Sequence, residues 1–125
     1  MRSKTLTLAA AAFLLAFNGP TMASGDHAAK HGGIFVETRA LDFEIVAKPE
    51  SIQVYLADHG KPVKLDGAKG KVTLLNGTEK TEVQLAVAGE KLEARGTFKV
   101  QKGTKGIAFV ALAGKPGTVA RFEVK

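Results

Sequence analysis

A chain of 125 residues with eighteen Lys and Arg against twelve Asp and Glu, three His and no Cys is small and basic. The missing cysteine excludes a disulfide framework, a lipid-attachment cysteine, thiol catalysis and thiolate metal sites, so the fold has to be held by core packing. The lysines are scattered singly, and with one Tyr and no Trp they fit a solvated surface and not a nucleic-acid interface.

The chain opens on "MRSK", whose Arg2 and Lys4 precede the apolar run "TLTLAAAAFLLAF". That run has the length of a signal-peptide core and is short for a membrane span. "NGP" at 18–20 breaks it, and Thr21, Met22 and Ala23 form a small-x-small cleavage site. Residues 1–23 are therefore expected to be a signal peptide directing export to the periplasm, with cleavage after Ala23 and no membrane insertion of the mature chain. Residues 24–32, rich in Ala, Gly and charge, bury too little surface to offset their ordering entropy and are expected to form a flexible, His-containing tail.

From residue 33 to 125 the sequence predicts one β-domain. After "IFVE" the period is two. "LDFEIVA" sets Leu41, Phe43, Ile45 and Ala47 on one face and Asp42 and Glu44 on the other, and "SIQVYLAD" sets Ile52, Val54 and Leu56 against Gln53 and Tyr55. Val72 and Leu74, then Val83, Leu85 and Val87, then Leu92 and Ala94, then Phe98 and Val100 continue the alternation. "GIAFVALAG" is apolar on both faces, which suits a central strand or one buried by a partner, and "TVARFEVK" closes the chain. "DHGKP", "NGT", "AGEK", "KGTKG" and "GKPG" supply hairpin turns between these runs. The expected fold is all-β: an antiparallel immunoglobulin-like sandwich or small barrel of about seven or eight strands.

Enzyme signatures are missing. Ser24 and Ser51 lie in no nucleophile elbow, no Gly-Lys pair is followed by Ser or Thr, and the acids mostly face outward, alternating with apolar residues, which gives no sign of paired catalytic carboxylates in a cleft. The expectation is a protein that is not an enzyme. Histidine remains as the chemistry-bearing residue. His27 and His31, four apart, can converge on one ion with Asp26 or Glu37 as an oxygen donor. Such a set suits Cu(II), Zn(II) or Ni(II) and disfavours Cu(I), because both methionines, Met1 and Met22, fall in the leader. Cleavage one residue later would start the chain Gly25-Asp26-His27, whose amine, backbone nitrogens and imidazole form a square-planar Cu(II) or Ni(II) site. The same histidines also suit a solvated leader with no ligand role. His59 in "DHGKP" reads as a turn residue that joins the metal set only if its turn folds beside the tail. Tyr55 and Phe35 read as packing residues, and Gly32 and Gly33 as a sharp entry into the first strand.

"HGG", "FEIV", "IQVYLADHGKPV", "GAKGKVTLLNG", "LEARGTF" and "ARFEV", behind an exported leader, resemble small periplasmic β-sandwich proteins and the N-terminal domains found ahead of heavy-metal efflux adaptor (HlyD-like) subunits of the resistance-nodulation-division type. The resemblance runs from His31 to Val124. It implies a periplasmic β-sandwich associated with transition-metal handling, with an efflux adaptor or another periplasmic protein as partner. His31, Gly32 and Gly33 match the family's motif, and Asp58, Gly60 and Pro62 match its turn. Two functions follow as expectations: weak binding of a divalent transition metal in aid of resistance or efflux, or metal-free docking on an envelope partner through a sheet edge or the "GIAFVALAG" strand.

Overall fold

The alternation from Leu41 onward places large apolar side chains on one face of each strand, and these faces close on a shared core. The structure, a computed structural model, describes residues 29–125. The signal peptide expected over 1–23 and the tail positions up to 28, Asp26 and His27 among them, lie outside the described residues.

The elements are β1 (Ile34–Glu37), β2 (Asp42–Lys48), β3 (Ser51–Asp58), β4 (Lys61–Pro62), β5 (Lys69–Asn76), β6 (Glu79–Ala88), β7 (Lys91–Arg95), β8 (Lys105–Ala111) and β9 (Gly117–Glu123). Every pairing is antiparallel. The spatial order is β1-β2-β3-β7-β6-β5-β8-β9, with β4 attached to β3. β6 belongs to two sheets: Glu79–Leu85 pairs with β5, and Ala86–Ala88 pairs with β7. The chain thereby turns the corner of the sandwich within one strand. β9 comes back against β1, so the sheet almost closes on itself. The all-β antiparallel expectation holds; the strand number exceeds the expected seven or eight because β4 is a two-residue extension of the β3 hairpin.

Phe43, Ile45, Ile52, Val54 and Leu92 fill the core from one side, and Val72, Leu74, Ala108, Val110 and Phe122 from the other. Burying each large side chain is worth about 1.5–3 kcal/mol, which lets a cysteine-free domain of this size fold. Turn chemistry sets the registers. Gly77 and Gly89 lead the two-residue loops of β5–β6 and β6–β7 with positive φ, as a Gly-first hairpin loop requires. In the β3–β4 loop both His59 (φ 51°) and Gly60 (φ 91°) are left-handed, the signature of a type I′ turn.

β8, the strand that is apolar on both faces, lies between β5 and β9, next to last in the strand order, and is not covered on both faces. Its inner residues Gly106, Ala108 and Val110 are buried, whereas Phe109 on the outer face is 38% exposed beside Val119 at 48%. Among the described residues no helix is long and apolar enough to cross a membrane.

Candidate functional site

On β2 the even-numbered residues point away from the core. The register sets Glu44 between Phe35 of β1 and Tyr55 of β3, and Asp42 between Glu37 and Ala57. An outward carboxylate in a half-buried sheet is ordinarily solvated. Here it is not: Asp42 is 2% exposed and Glu44 6%. The two acids face outward but are not open to solvent: the chain preceding β1 folds over Glu44, and Asp42 beside it is enclosed as well.

Gly32 and Gly33 allow that fold. Gly32 takes φ +75°, and a Cβ at Gly33 would lie 2.5 Å from the Ile45 carbonyl oxygen. Only a bare Cα fits against β2 there, and the chain before it swings across the outer face of the sheet. The result is a set of donors converging on one carboxylate. Glu44 accepts from the backbone N–H of Lys30 (2.9 Å), His31 (2.6 Å) and Gly33 (2.9 Å), and from Nδ1 of the His31 ring (2.8 Å). Burial by itself would push the Glu44 carboxyl up, but the Lys30 N–H, the His31 ring and the Gly33 and His31 N–H groups outweigh it and hold the group below its ordinary range.

The ring of His31 is fixed twice. It stacks on Tyr55 with centroids 3.6 Å apart and planes 5° from parallel, and its Nδ1 faces Glu44. An ionised carboxylate can only accept, so Nδ1 carries the hydrogen, and the neutral ring keeps its lone pair on Nε2. The His31 side chain remains 44% exposed. A carboxylate that orients an imidazole and fixes its tautomer is the support that metal-ligating histidines have.

A cleft of about 440 Å³ opens beside this cluster. Its wall includes His31, Asp42, Glu44 and Tyr55, with Phe35, Leu56, Val63 and Leu65 as apolar lining. Both carboxylate oxygens of Asp42 are buried and, among the described residues, accept no hydrogen bond.

The residues singled out in the sequence fare differently. His31 is in the cluster. His59 stands in the β3–β4 turn with its Nδ1 2.7 Å from Asp58 and is exposed; that hydrogen bond to Asp58 raises its pKa. Its neighbours Gly60 and Pro62 line the cleft and His59 does not. Glu37 lies opposite Asp42 at the end of β1. His27 and Asp26 lie outside the described residues, and among the described residues no group of three or more His, Cys, Asp or Glu side chains is arranged to hold a metal ion. Sequence reasoning missed Asp42, Glu44 and Tyr55 as site residues. The available signal was the acid pair on one face of β2, the strand that pairs with the one entered through Gly32 and Gly33.

No protein-family profile and no curated protein sequence matches the chain. Among solved structures, that of BhCBM56 in its Br derivative is similar to this chain with a TM-score of 0.45 at 10% identity, covering 73% of this chain and 99% of that one. The likeness is too remote to bear on function.

Proposed function

We propose that this chain is an exported, non-enzymatic periplasmic protein that binds a divalent transition metal, Cu(II) or Zn(II), weakly at its N-terminal side and assists metal resistance or efflux. The observation that supports this best is the oriented imidazole of His31. Glu44 and Tyr55 hold the ring, and the nitrogen left with a lone pair belongs to a half-exposed side chain. His27 and Asp26, four and five positions upstream, would complete a nitrogen and oxygen donor set of the kind Cu(II) and Zn(II) accept. His59, engaged with Asp58 in its own turn, is not needed. A solvent-facing site with few protein ligands suits a carrier that releases its ion to an efflux adaptor.

Titration calorimetry of the purified protein with Cu(II) and with Zn(II) tests the reading. His31→Ala should abolish the tightest binding, and Glu44→Gln should weaken it about tenfold or more through loss of ring orientation. Affinity should fall as pH drops, since protons compete with the metal for the imidazole nitrogens. Heats indistinguishable between wild type and His31→Ala would remove the metal reading.

A second reading, metal-free docking on an envelope partner, is favoured by the adjacent exposed side chains Phe109 and Val119 on the outer face of β8 and β9. A partner recovered from periplasmic extract by wild type and lost by Phe109→Ser would support it. Recovery unchanged by that substitution would count against it.

A further inference from the structure

Glu44 and Asp42 are two residues apart on one face of one strand, and only the first has its hydrogen bonds. Glu44 collects four donors. Asp42 is as well buried, yet no N–H or O–H among the described residues reaches either of its oxygens. A buried carboxylate without donors is destabilising, and its retention in a native structure calls for a specific reason. The residue belongs to the wall of the cleft. That combination, an orphaned acid on the face that lines a cavity, is the mark of a site whose occupant brings its own donors.

The geometry points to a guanidinium-binding site at Asp42, one that takes a compact ligand carrying a guanidinium on an aliphatic stem. Both oxygens lack donors, and a planar guanidinium presents two parallel N–H groups to both oxygens of one carboxylate, whereas an ammonium acts as a point charge. A metal ion would need further ligands, and the described residues provide no group of three. The other charges of the wall agree. Glu44, Asp66 and Glu90 line the cleft against Lys30, which makes this region acidic on a chain with formal charge +6. Phe35, Leu56, Val63 and Leu65 offer apolar surface to a stem of a few methylenes, and the volume of about 440 Å³ falls in the range of small-ligand sites, about 300–1,000 Å³. Val63 and Leu65 lie in the loop between β4 and β5, the part of the wall free of strand pairing.

Calorimetric titration of the purified protein with agmatine, in a buffer containing EDTA, tests the site independently of bound metal. Cadaverine serves as the ammonium control and a capped Arg-containing tripeptide as the peptide probe. Agmatine should bind saturably, at least about tenfold tighter than cadaverine, and Asp42→Asn should weaken it at least about thirtyfold, as loss of one partner of a buried charge pair does. Asp42→Asn should leave the melting temperature of the free protein unchanged or raised, because it removes a buried carboxyl group whose oxygens take no hydrogen bond among the described residues. Tripeptide binding equal to that of agmatine assigns the source to arginine side chains of peptides, and weaker binding assigns it to free guanidino compounds. No agmatine heat, equal binding to Asp42→Asn, equal binding of cadaverine, or a melting temperature lowered by more than about 8 °C in Asp42→Asn each overturns the proposal. With the metal chelated, a protein that fails to bind Cu(II) or Zn(II) can still pass this test, and the reverse holds.

Discussion

Replacing Glu44 by Gln tests how the chain before β1 is held. The carboxylate takes N–H groups from Lys30, His31 and Gly33 and the His31 ring, and an amide offers one acceptor oxygen where the charge offered two. Hydrogen bonds to a charged group contribute about 1.5–3 kcal/mol each, while ordering the backbone from 30 to 33 costs about 1–2 kcal/mol per residue. At the midpoints of these ranges, about 9 kcal/mol from four bonds less about 6 kcal/mol of ordering entropy leaves the tether worth about 3 kcal/mol, and most of it goes with the charge. For a domain of this size about 1 kcal/mol corresponds to about 4–8 °C in melting temperature, so Glu44→Gln should melt roughly 10–25 °C lower at pH 7. The pH dependence carries the sign. A carboxyl whose folded pKa lies below its unfolded value of 4.5 contributes stability that is fully present above 4.5 and is lost as pH falls through the folded value. Thermal denaturation from pH 7 to pH 3 should therefore show wild type and variant converging in acid. Hydrogen exchange at Lys30, His31 and Gly33 should accelerate in the variant at pH 7. Two melting curves that stay parallel down to pH 3 would show that the Glu44 charge does not hold the segment.

Three further substitutions probe other parts of the fold and site. His59→Asn should leave stability unchanged or raise it by about 0.5 kcal/mol, because Asn suits a left-handed turn position at least as well as His; Cu(II) titration should be unaffected, and a lost site would place His59 among the ligands. Gly106→Ala should destabilise by about 1–3 kcal/mol, since the Phe122 ring lies over the Gly106 Cα where a Cβ would stand. Denaturant melts of the double variant with Phe122→Leu should show partial recovery, and strict additivity would mean the ring is not the obstacle. Thr104→Val keeps the shape of a buried side chain but removes its 2.7 Å bond to Asn76 Oδ1 and leaves the Gln101 N–H without its acceptor, for a loss of about 1–3 kcal/mol; urea unfolding with an unchanged midpoint would rule that network out as a stabilising element.

The parts of this structure that were legible in the sequence are those set by neighbours along the chain. Alternation in "LDFEIVA" identified Phe43 and Ile45 as core, and both are fully buried. "NGT" and "AGEK" located the hairpins because left-handed glycines are needed there. The passage of β6 from one sheet to the other was not readable in this way, since Val83, Leu85 and Val87 keep one period across the change of partner and the choice of partner depends on β5 and β7. The site was illegible for the same reason. His31 meets Tyr55 and Glu44 from more than ten positions away, and no local pattern announces that a segment will fold back over a strand's outer face.

Period-two patterning states which face a residue occupies and says nothing of what covers that face. Glu44 and Asp42 illustrate the consequence, because identical reasoning assigns both to the outside. For Glu44 the cover supplies the donors, so charge burial becomes a tether that holds His31 in place. For Asp42 the cover is a cleft wall that supplies none, and the same burial becomes an unmet demand for donors. One substitution at each position separates the two roles in the free protein: Glu44→Gln should loosen the chain before β1, and Asp42→Asn should leave the fold as firm as before or firmer. If both variants lost stability alike, the contrast between a satisfied and an unsatisfied carboxylate on this strand would have no physical content.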